Sequence, residues 1–362
     1  MTRLVVGCMT GTSIDGIDAA LVRIDGKGLA MRASLLRHVH GDLGPCAEGL
    51  RCIASDEPLR ASEITAITRD FALRHADVIK QLCGRKRPDL ICVHGQTVYH
   101  KPPLSWQLMQ PAPMAAALRT RVVCDLRAAD LAANGQGAPL TPLADYILFA
   151  GPDRRAIINL GGFCNVTLLP AAARRSAAGA RAVRGKDVCV CNLLLDEIAR
   201  RKLNAPFDMN GAAALAGTPK LKGWMTLLRL MQAQGASGRS LGSGDELHAW
   251  LAKEGGPLSG PDCAATAVAA IAAAIAKACA KAQTLVLAGG GAKNAYLVKR
   301  LRESLPRAQV VTTDHFAIPV EAREAAGFAV LGALADDGVP VSLSRVTGVR
   351  SAPRAGLFAP AP

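Results

Sequence analysis

Short apolar runs, each bounded by glycine or polar turns, alternate along the chain with longer stretches of helical spacing. Leu4 to Met9 reads as a strand, Thr10 to Gly16 as a polar, glycine-rich turn, and Ile17 to Ile24 as a second strand closed by Asp25-Gly26. Ala61 to Cys83 carries Ile64, Ile67, Phe71 and Val78 on one side, the spacing of a helix with one buried stripe. Asp89 to Val93 and Arg121 to Asp125 read as buried strands. The first ends at His94-Gly95-Gln96-Thr97; the second is followed by a helix and then Asn134-Gly135-Gln136-Gly137-Ala138-Pro139.

The second half has the same texture. Arg155 to Leu160 predicts a strand, Gly161-Gly162 a turn and Asn165 to Leu169 a return strand. Ala171 to Lys186, small and basic, is expected to be a loop. Asn192 to Lys202, Ala264 to Ala282, Asn294 to Glu303 and Val320 to Ala335 predict helices, and Thr284 to Ala288 a strand entering Gly289-Gly290-Gly291. Alternating strands and helices argue for an α/β fold. A glycine-turn hairpin in each half suggests a duplication visible in pattern but not in residues, with two lobes flanking a cleft. The expected lobes are residues 1–130 plus 345–362, and residues 131–344.

Composition narrows the function. The 362 residues suffice for about two domains, and with 50% hydrophobic and 20% charged residues the chain is not disordered. Eleven cysteines fit no disulfide framework, and Cys189 and Cys191 form a lone Cys-x-Cys with no histidine nearby, so a structural zinc is not expected. The longest apolar run, Cys263 to Ala276, is shorter than the roughly 20 residues of a membrane span. Leu4 to Met9 runs into a turn rather than a cleavage site, so no secretory signal and no membrane partner are expected, and a cytoplasmic location is. The net charge of +14 is spread over small groups such as Arg85-Lys86-Arg87 and Arg200-Arg201-Lys202, and aromatics are only 4%. That favours an Arg-rich surface or an anionic small substrate over nucleic acid.

Several segments could carry chemistry. Met9-Thr10-Gly11-Thr12-Ser13-Ile14-Asp15-Gly16 combines glycines, which allow close backbone approach, with hydroxyl donors, as a phosphate site needs. It lacks the lysine of a Walker loop, and its turn leads to a strand rather than a helix; a plain hairpin turn is the alternative. Gly289-Gly290-Gly291 before a helix would let a flat ring or an anion approach the backbone; a tight turn is again the alternative, as it is for Gly161-Gly162. Asp187 follows Arg181, Arg184 and Lys186, a setting that keeps a carboxylate ionised for general-base work, or equally a surface ion pair. Asp125, Asp130, Asp145 and Asp208 read as caps or turn residues. The polar loops at His94-Gly95-Gln96-Thr97 and Asn134-Gly135-Gln136-Gly137 follow strand-like segments, where α/β sheets bind ligands.

Taken in order, seven segments resemble the anhydro-N-acetylmuramic acid kinase family: Gly7 to Asp18, His94 to Thr97, Asp125 to Asp130, Gly135 to Leu140, Asn159 to Thr167, Gly289 to Asn294 and Glu324 to Ala329. The resemblance implies a two-lobed actin/hexokinase-like (ribonuclease H-like) sugar kinase fold, with ATP and Mg2+ as cofactors and 1,6-anhydro-N-acetylmuramic acid as substrate. It implies that the anhydro ring is opened with water and O6 phosphorylated, in cell-wall sugar recycling. By motif, Gly11, Thr12, Ser13, Ile14, Asp15, Gly16, Ile17 and Asp18 would hold phosphates, together with Gly161 and Gly162. Gly289, Gly290, Gly291 and Asn294 would line the nucleoside side. His94, Gln96, Gln136 and Glu324 would face the sugar, and Asp187 would be the general base. The metal ligands and oligomeric state stay open, a homodimer being one expectation.

The chain departs from the family around its base. The usual Asp-Thr-Gly-Pro-Gly/Ala-Asn is here Asp187-Val188-Cys189-Val190-Cys191-Asn192, and Gly238-Arg239-Ser240-Leu241-Gly242 has arginine where the family tends to have lysine. The changes at Val188 to Cys191 keep in view a catalytically weakened nucleotide or sugar sensor, and the +14 charge keeps in view a kinase for another anionic sugar.

Overall fold

The computed structural model describes residues 1–172, 174–236 and 249–361; the Gly238–Gly242 segment lies outside them. The strands, in chain order, are β1 (Thr2–Thr10), β2 (Ile17–Asp25), β3 (Arg32–Gly41), β4 (Leu90–Val93), β5 (Gln96–Lys101), β6 (Leu104–Leu108), β7 (Val122–Cys124), β8 (Arg155–Leu160), β9 (Phe163–Leu169), β10 (Arg184–Val190), β11 (Thr284–Ala288), β12 (Gln309–Thr312) and β13 (Leu357–Ala359). The chain forms two compact units. One comprises Met1–Phe149, Arg174–Val183 and Ala322–Pro362, the other Ala150–Ala173 and Arg184–Glu321.

The first unit is built on a six-stranded sheet in the order β13-β7-β4-β1-β2-β3. β1, β2 and β3 form an antiparallel meander, and β4 and β7 add parallel on the other side of β1. The second unit has the order β10-β9-β8-β11-β12, again an antiparallel meander followed by two parallel strands. With the edge strand β13 of the first set aside, both sheets share one order, 3-2-1-4-5 counted along the chain within each sheet, which is the duplicated sheet of the actin/hexokinase-like fold. The duplication expected from the two hairpins is present.

Helix Arg323–Asp336 is nearly all buried and packs on β1, β2 and β4. Gly7 makes this possible: a Cβ there would lie 2.0 Å from the Ala325 carbonyl oxygen and 2.3 Å from the Ala329 nitrogen. Arg323 reaches from the same helix to Asp145 and Thr141 in a buried cluster, tying helix Pro142–Phe149 to it. Because these two helices pack together, the first unit runs through Phe149 and resumes at Ala322, where the sequence alone suggested breaks at 130 and 344. In the second unit, helix Gly260–Ala278 starts at a Ser259 cap and sits in the core against strands and helices. It is long and apolar enough to cross a membrane, but 72% of it is buried inside the unit.

Ala171 to Lys186 is not a loop. It contains helix Ala177–Ala182 and the start of β10. The first four residues of β10 are only partly covered, so the segment lacks the apolar run that marks a buried strand. β3 and the β5–β6 hairpin also went unexpected; β3 has no buried residue.

Candidate active site

In the first unit, Gly11 to Gly16 forms the turn of the β1–β2 hairpin, closed by the Ile14 amide donating to the Gly11 carbonyl at 3.1 Å. Ile14 sits at φ +53°, a left-handed conformation that costs a β-branched residue about 1–2 kcal/mol, and Arg51 Nη2 donates to its carbonyl at 3.2 Å. The side chains of Ile14 and Ile17 belong to the core, so these two positions offer a ligand only backbone groups, while Thr12, Ser13 and Asp15 are exposed. Gly16 is required by space: a Cβ would fall 2.8 Å from the Gly41 carbonyl oxygen, besides 2.3 Å from the His40 ring. Asp18, the second residue of β2, lies with a carboxylate oxygen 2.8 Å from His40 Nδ1. Burial pushes its carboxyl above the usual range, against the opposing pull of His40. Burial likewise raises Glu324, Arg323 opposes, and the charges of Asp18 and Asp145 add to the rise.

The loop after β4 builds a second polar group. His94 stacks on Phe328 at 4.4 Å between centroids. Burial, Arg127 and His100 hold His94 well below the usual histidine range, so it is neutral. Arg127 Nη2 lies 3.1 Å from His94 Nε2; as an obligate donor it leaves that nitrogen the acceptor and puts the proton on Nδ1. Gln107 Nε2 donates to the His94 carbonyl at 3.1 Å. Gln96 is fully buried and donates to the Thr97 carbonyl. Gln96 Oε1, Gln107 Oε1, His100 Nε2 and Arg127 Nε are buried without hydrogen-bond partners, the mark of a site shaped for polar ligand atoms. Arg127 has no ion-pair partner among the described residues; burial lowers it to about 10, so it stays a cation at neutral pH. Gln107 lies outside every segment singled out in the sequence, and Arg127, although within the Asp125 to Asp130 segment, was given no role there.

Gln136 is exposed beside this group, on a loop held by Asp130. Asp130 is fully buried; it accepts from the Gly137 amide at 2.7 Å and the Thr347 hydroxyl at 2.8 Å, and the Gln136 amide donates to the Thr347 carbonyl. Asp130 is thus a turn organiser. Asp125 accepts from the Ala128 amide and Asp208 from the Ala213 and Ala214 amides, both as caps, and Asp145 is an ion-pair partner.

In the second unit Asp187 lies on β10 opposite Asn165 of β9, which in turn lies opposite Asn159 of β8. Residues directly opposite project from the same face, so Asn159, Asn165 and Asp187 form one polar row across three strands. A register shift between Asp187 and Cys189 marks a bulge just past the carboxylate, a device that re-aims a side chain. The row ends at the glycine turn: a Cβ on Gly289, itself at φ +78°, would meet Asn159 Oδ1 at 2.9 Å. With strands about 4.8 Å apart and β10 three strands from β11, Asp187 is roughly 14 Å from that turn.

Gly290, Gly291 and Asn294 line a cavity of about 290 Å3 with Asn192, Asp196, Phe207, Met209, Asn210 and Lys293. Phe207 and Met209 are 47% and 61% exposed, leaving apolar surface open at its wall. The Asn294 side chain caps the next helix by accepting from the Leu297 amide at 2.9 Å. The Gly161 and Gly162 carbonyls accept from the amides of Asn192, Cys191 and Leu193, closing the β8–β9 turn onto helix Asn192–Ile198. Val188 to Cys191, the replaced positions, are buried in the core, and Asn192 Nδ2 donates to the Leu160 carbonyl at 3.0 Å.

The anhydro-N-acetylmuramic acid kinase family model matches residues 3–361. The chain belongs to the anhydro-N-acetylmuramic acid kinase family. It is 34% identical to the anhydro-N-acetylmuramic acid kinase of Salinibacter ruber, over 99% of this chain and 97% of that one. Its identity to the enzyme of the same name from Bordetella parapertussis is 36%, over 99% and 96%. Among solved structures it is similar to component A of (R)-2-hydroxyglutaryl-CoA dehydratase from Acidaminococcus fermentans, at 13% identity and a TM-score of 0.48 over 91% of this chain and 98% of that chain. Family membership covers both units, so each of the polar groups described above falls within the matched span.

Proposed function

We propose that the protein is a cytoplasmic ATP-dependent kinase that opens 1,6-anhydro-N-acetylmuramic acid with water and phosphorylates the freed O6, giving N-acetylmuramic acid 6-phosphate and ADP in the recycling of cell-wall sugars. The observation that carries this reading is the row Asn159–Asn165–Asp187 running into the Gly289 turn. It supports a carboxylate held at a distance from a nucleotide turn that a sugar and a phosphoryl group would span.

In this reading Asp187 takes a proton from water, whose oxygen attacks the anomeric carbon. The bond from that carbon to O6 breaks, and O6 takes the γ-phosphoryl group as ADP leaves. Each event assists the other, because O6 becomes a nucleophile as its bond to carbon weakens. Catalysis then rests on positioning and charge neutralisation rather than on a covalent enzyme intermediate. The Gly11 to Gly16 backbone with Thr12 and Ser13 would contact phosphates, and Gly290 and Gly291 the nucleoside, with Phe207 and Met209 as apolar surface for a base.

The sugar is an acid. Arg127, a half-buried cation lacking a carboxylate partner among the described residues, is suited to its carboxylate, and the unpartnered oxygens of Gln96 and Gln107 to its hydroxyl or amide donors. A magnesium ion would neutralise charge on the phosphates. Asp18, at the glycine hairpin with a carboxylate oxygen beyond the one facing His40, has the right chemistry to hold it. Burial of Val188 to Cys191 in the core supports an active enzyme over a sensor: the substitutions fill packing positions, while Asp187 and Asn192 keep their places at the ends of the segment. The test is ADP release by purified protein with ATP and Mg2+, with and without the anhydro sugar, and product identification by mass. Sugar binding without any product would favour the sensor; turnover of another acidic sugar alone would favour the other kinase.

A further inference from the structure

A cavity of about 800 Å3 lies wholly within the first unit and takes no part in the reaction proposed above. Its walls come from Leu29, from helix Ala177–Ala182 and from the segment 339–352. β1 pairs with β2 from Thr2–Asp25 at one end to Thr10–Ile17 at the other, so the glycine hairpin and the Leu29 turn sit at opposite ends of a nine-residue strand, roughly 26 Å apart. Helix Arg323–Asp336 runs the same way: Glu324 couples to Asp18, and Asp336 at the far end pairs with Arg3, which delivers Val339 onward to the cavity.

The cavity is basic and hydroxylic. Arg181, Arg345 and Arg350 line it, with Ser342, Ser344 and Ser351, and no carboxylate does among the described residues. None of the three arginines has an ion-pair partner among those residues. Elsewhere in this unit Arg3 pairs with Asp336 and Asp337, and Arg323 with Asp145. Three guanidinium groups around one concavity repel one another unless an anion is shared between them. Ser342 adds an independent sign: it is 5% exposed, and its Oγ has no hydrogen-bond partner. A buried hydroxyl without a partner is costly. The walls are also fixed in place. Arg175 donates to the carbonyls of Leu29, Met31 and Ile147, the Ser176 amide donates to the Tyr146 hydroxyl, and Thr347 is held on Asp130.

We propose that this cavity is a second ligand site of the protein, taking a small organic phosphate of two or more negative charges that Arg181, Arg345, Arg350 and the serines neutralise together. The volume is that of a small-molecule pocket rather than of a single inorganic ion. The inference stands apart from the reaction.

Calorimetry tests it on the full chain, using inorganic pyrophosphate as the probe and taking the difference from the Arg345→Ser, Arg350→Ser double variant, which keeps the nucleotide site. One arginine-dependent pyrophosphate per chain is expected. Arg345→Ser with Arg350→Ser should weaken it roughly a hundredfold, about tenfold for each guanidinium removed from the anion. Ser342→Val should weaken it less. Both arginines are exposed, so the double variant should melt with the wild type, and a shared melting temperature keeps the comparison valid. A tungstate soak of crystals should place the anion against these arginines. No heat of binding, equal affinity in the double variant, or tungstate found only elsewhere would each overturn the site. The difference between the two titrations keeps failure of the kinase reading distinct: a chain that binds no nucleotide would still show the arginine-dependent pyrophosphate site.

Discussion

Asp187 and Arg127 make opposite demands on the substrate, and their variants should therefore fail differently. A general base acts only in the transition state, so Asp187→Asn should lower kcat by roughly 100- to 10,000-fold while ATP-analogue affinity is unchanged. A variant retaining full turnover would remove Asp187 from the chemistry. Arg127 would instead contact a carboxylate present throughout the reaction. Arg127→Met should raise KM for the anhydro sugar roughly 10- to 100-fold, the worth of one charge-assisted bond, with a smaller change in kcat, and Arg127→Lys should recover part of it. An unchanged KM would show that the cation serves only to hold His94. Both lie in segments compared with the family, but only Asp187 drew a role from its motif; Arg127, within Asp125 to Asp130, drew none. What sets it apart is burial without an ion-pair contact among the described residues, with only the nearby charge of Asp125 in support, and that burial follows from β4 and β7 lying side by side, which no local pattern reveals.

At the scale of elements, the strands legible from sequence are those with apolar runs: β1, β2, β4, β8 and β11 lie within a residue or two of where periodicity puts them, and helix Ala61–Cys83 matches at both ends. β3, and β10 where it carries Asp187, are edge strands of their sheets with polar, half-covered faces, and their pattern does not separate them from loops. Packing and burial of single residues in these elements set two measurable stabilities. Gly7→Ala pushes a methyl into the backbone of helix Arg323–Asp336, and should destabilise the first unit by about 3 kcal/mol, seen as a lower denaturant midpoint. His75 lies fully buried in helix Ala61–Cys83, its Nδ1 2.9 Å from the Phe71 carbonyl, and burial lowers it to about 4. Its folded value is depressed, so the unfolded chain binds the proton more readily between pH 6.5 and 4. Stability from this group is complete above about pH 6.5 and falls by up to about 3 kcal/mol as pH drops to about 4. In urea titrations from about pH 7 to about pH 4, His75→Phe should flatten that part of the loss; an unchanged slope would assign acid sensitivity to other groups.

At the scale of the molecule, one topology is used twice with different ligand chemistry. The first unit fills the space above its sheet with helix Arg323–Asp336 at Gly7, and the second with helix Gly260–Ala278. In each unit a glycine-rich turn borders the candidate site, but for different reasons: Gly16 is demanded by the Gly41 backbone oxygen beside it, whereas Gly290 is not demanded by packing at all. A Cβ on Gly290 would find its nearest neighbour 3.9 Å away at Asn192 Nδ2, while one on Gly291 would be 2.7 Å from the Leu160 Cβ. Two adjacent glycines thus separate binding from folding. Gly290→Val projects into the cavity beside Asn192 and should leave the ligand-free stability within about 1 kcal/mol of wild type, yet abolish the gain from ATP analogue, which at a hundredfold excess over Kd is about 2.7 kcal/mol for the wild type. Gly291→Ala should lower stability before any ligand is added. Melting curves of the three proteins with and without the analogue decide the matter: a normal ligand-induced rise in Gly290→Val would mean that the nucleotide is held somewhere other than the Gly289–Gly291 turn.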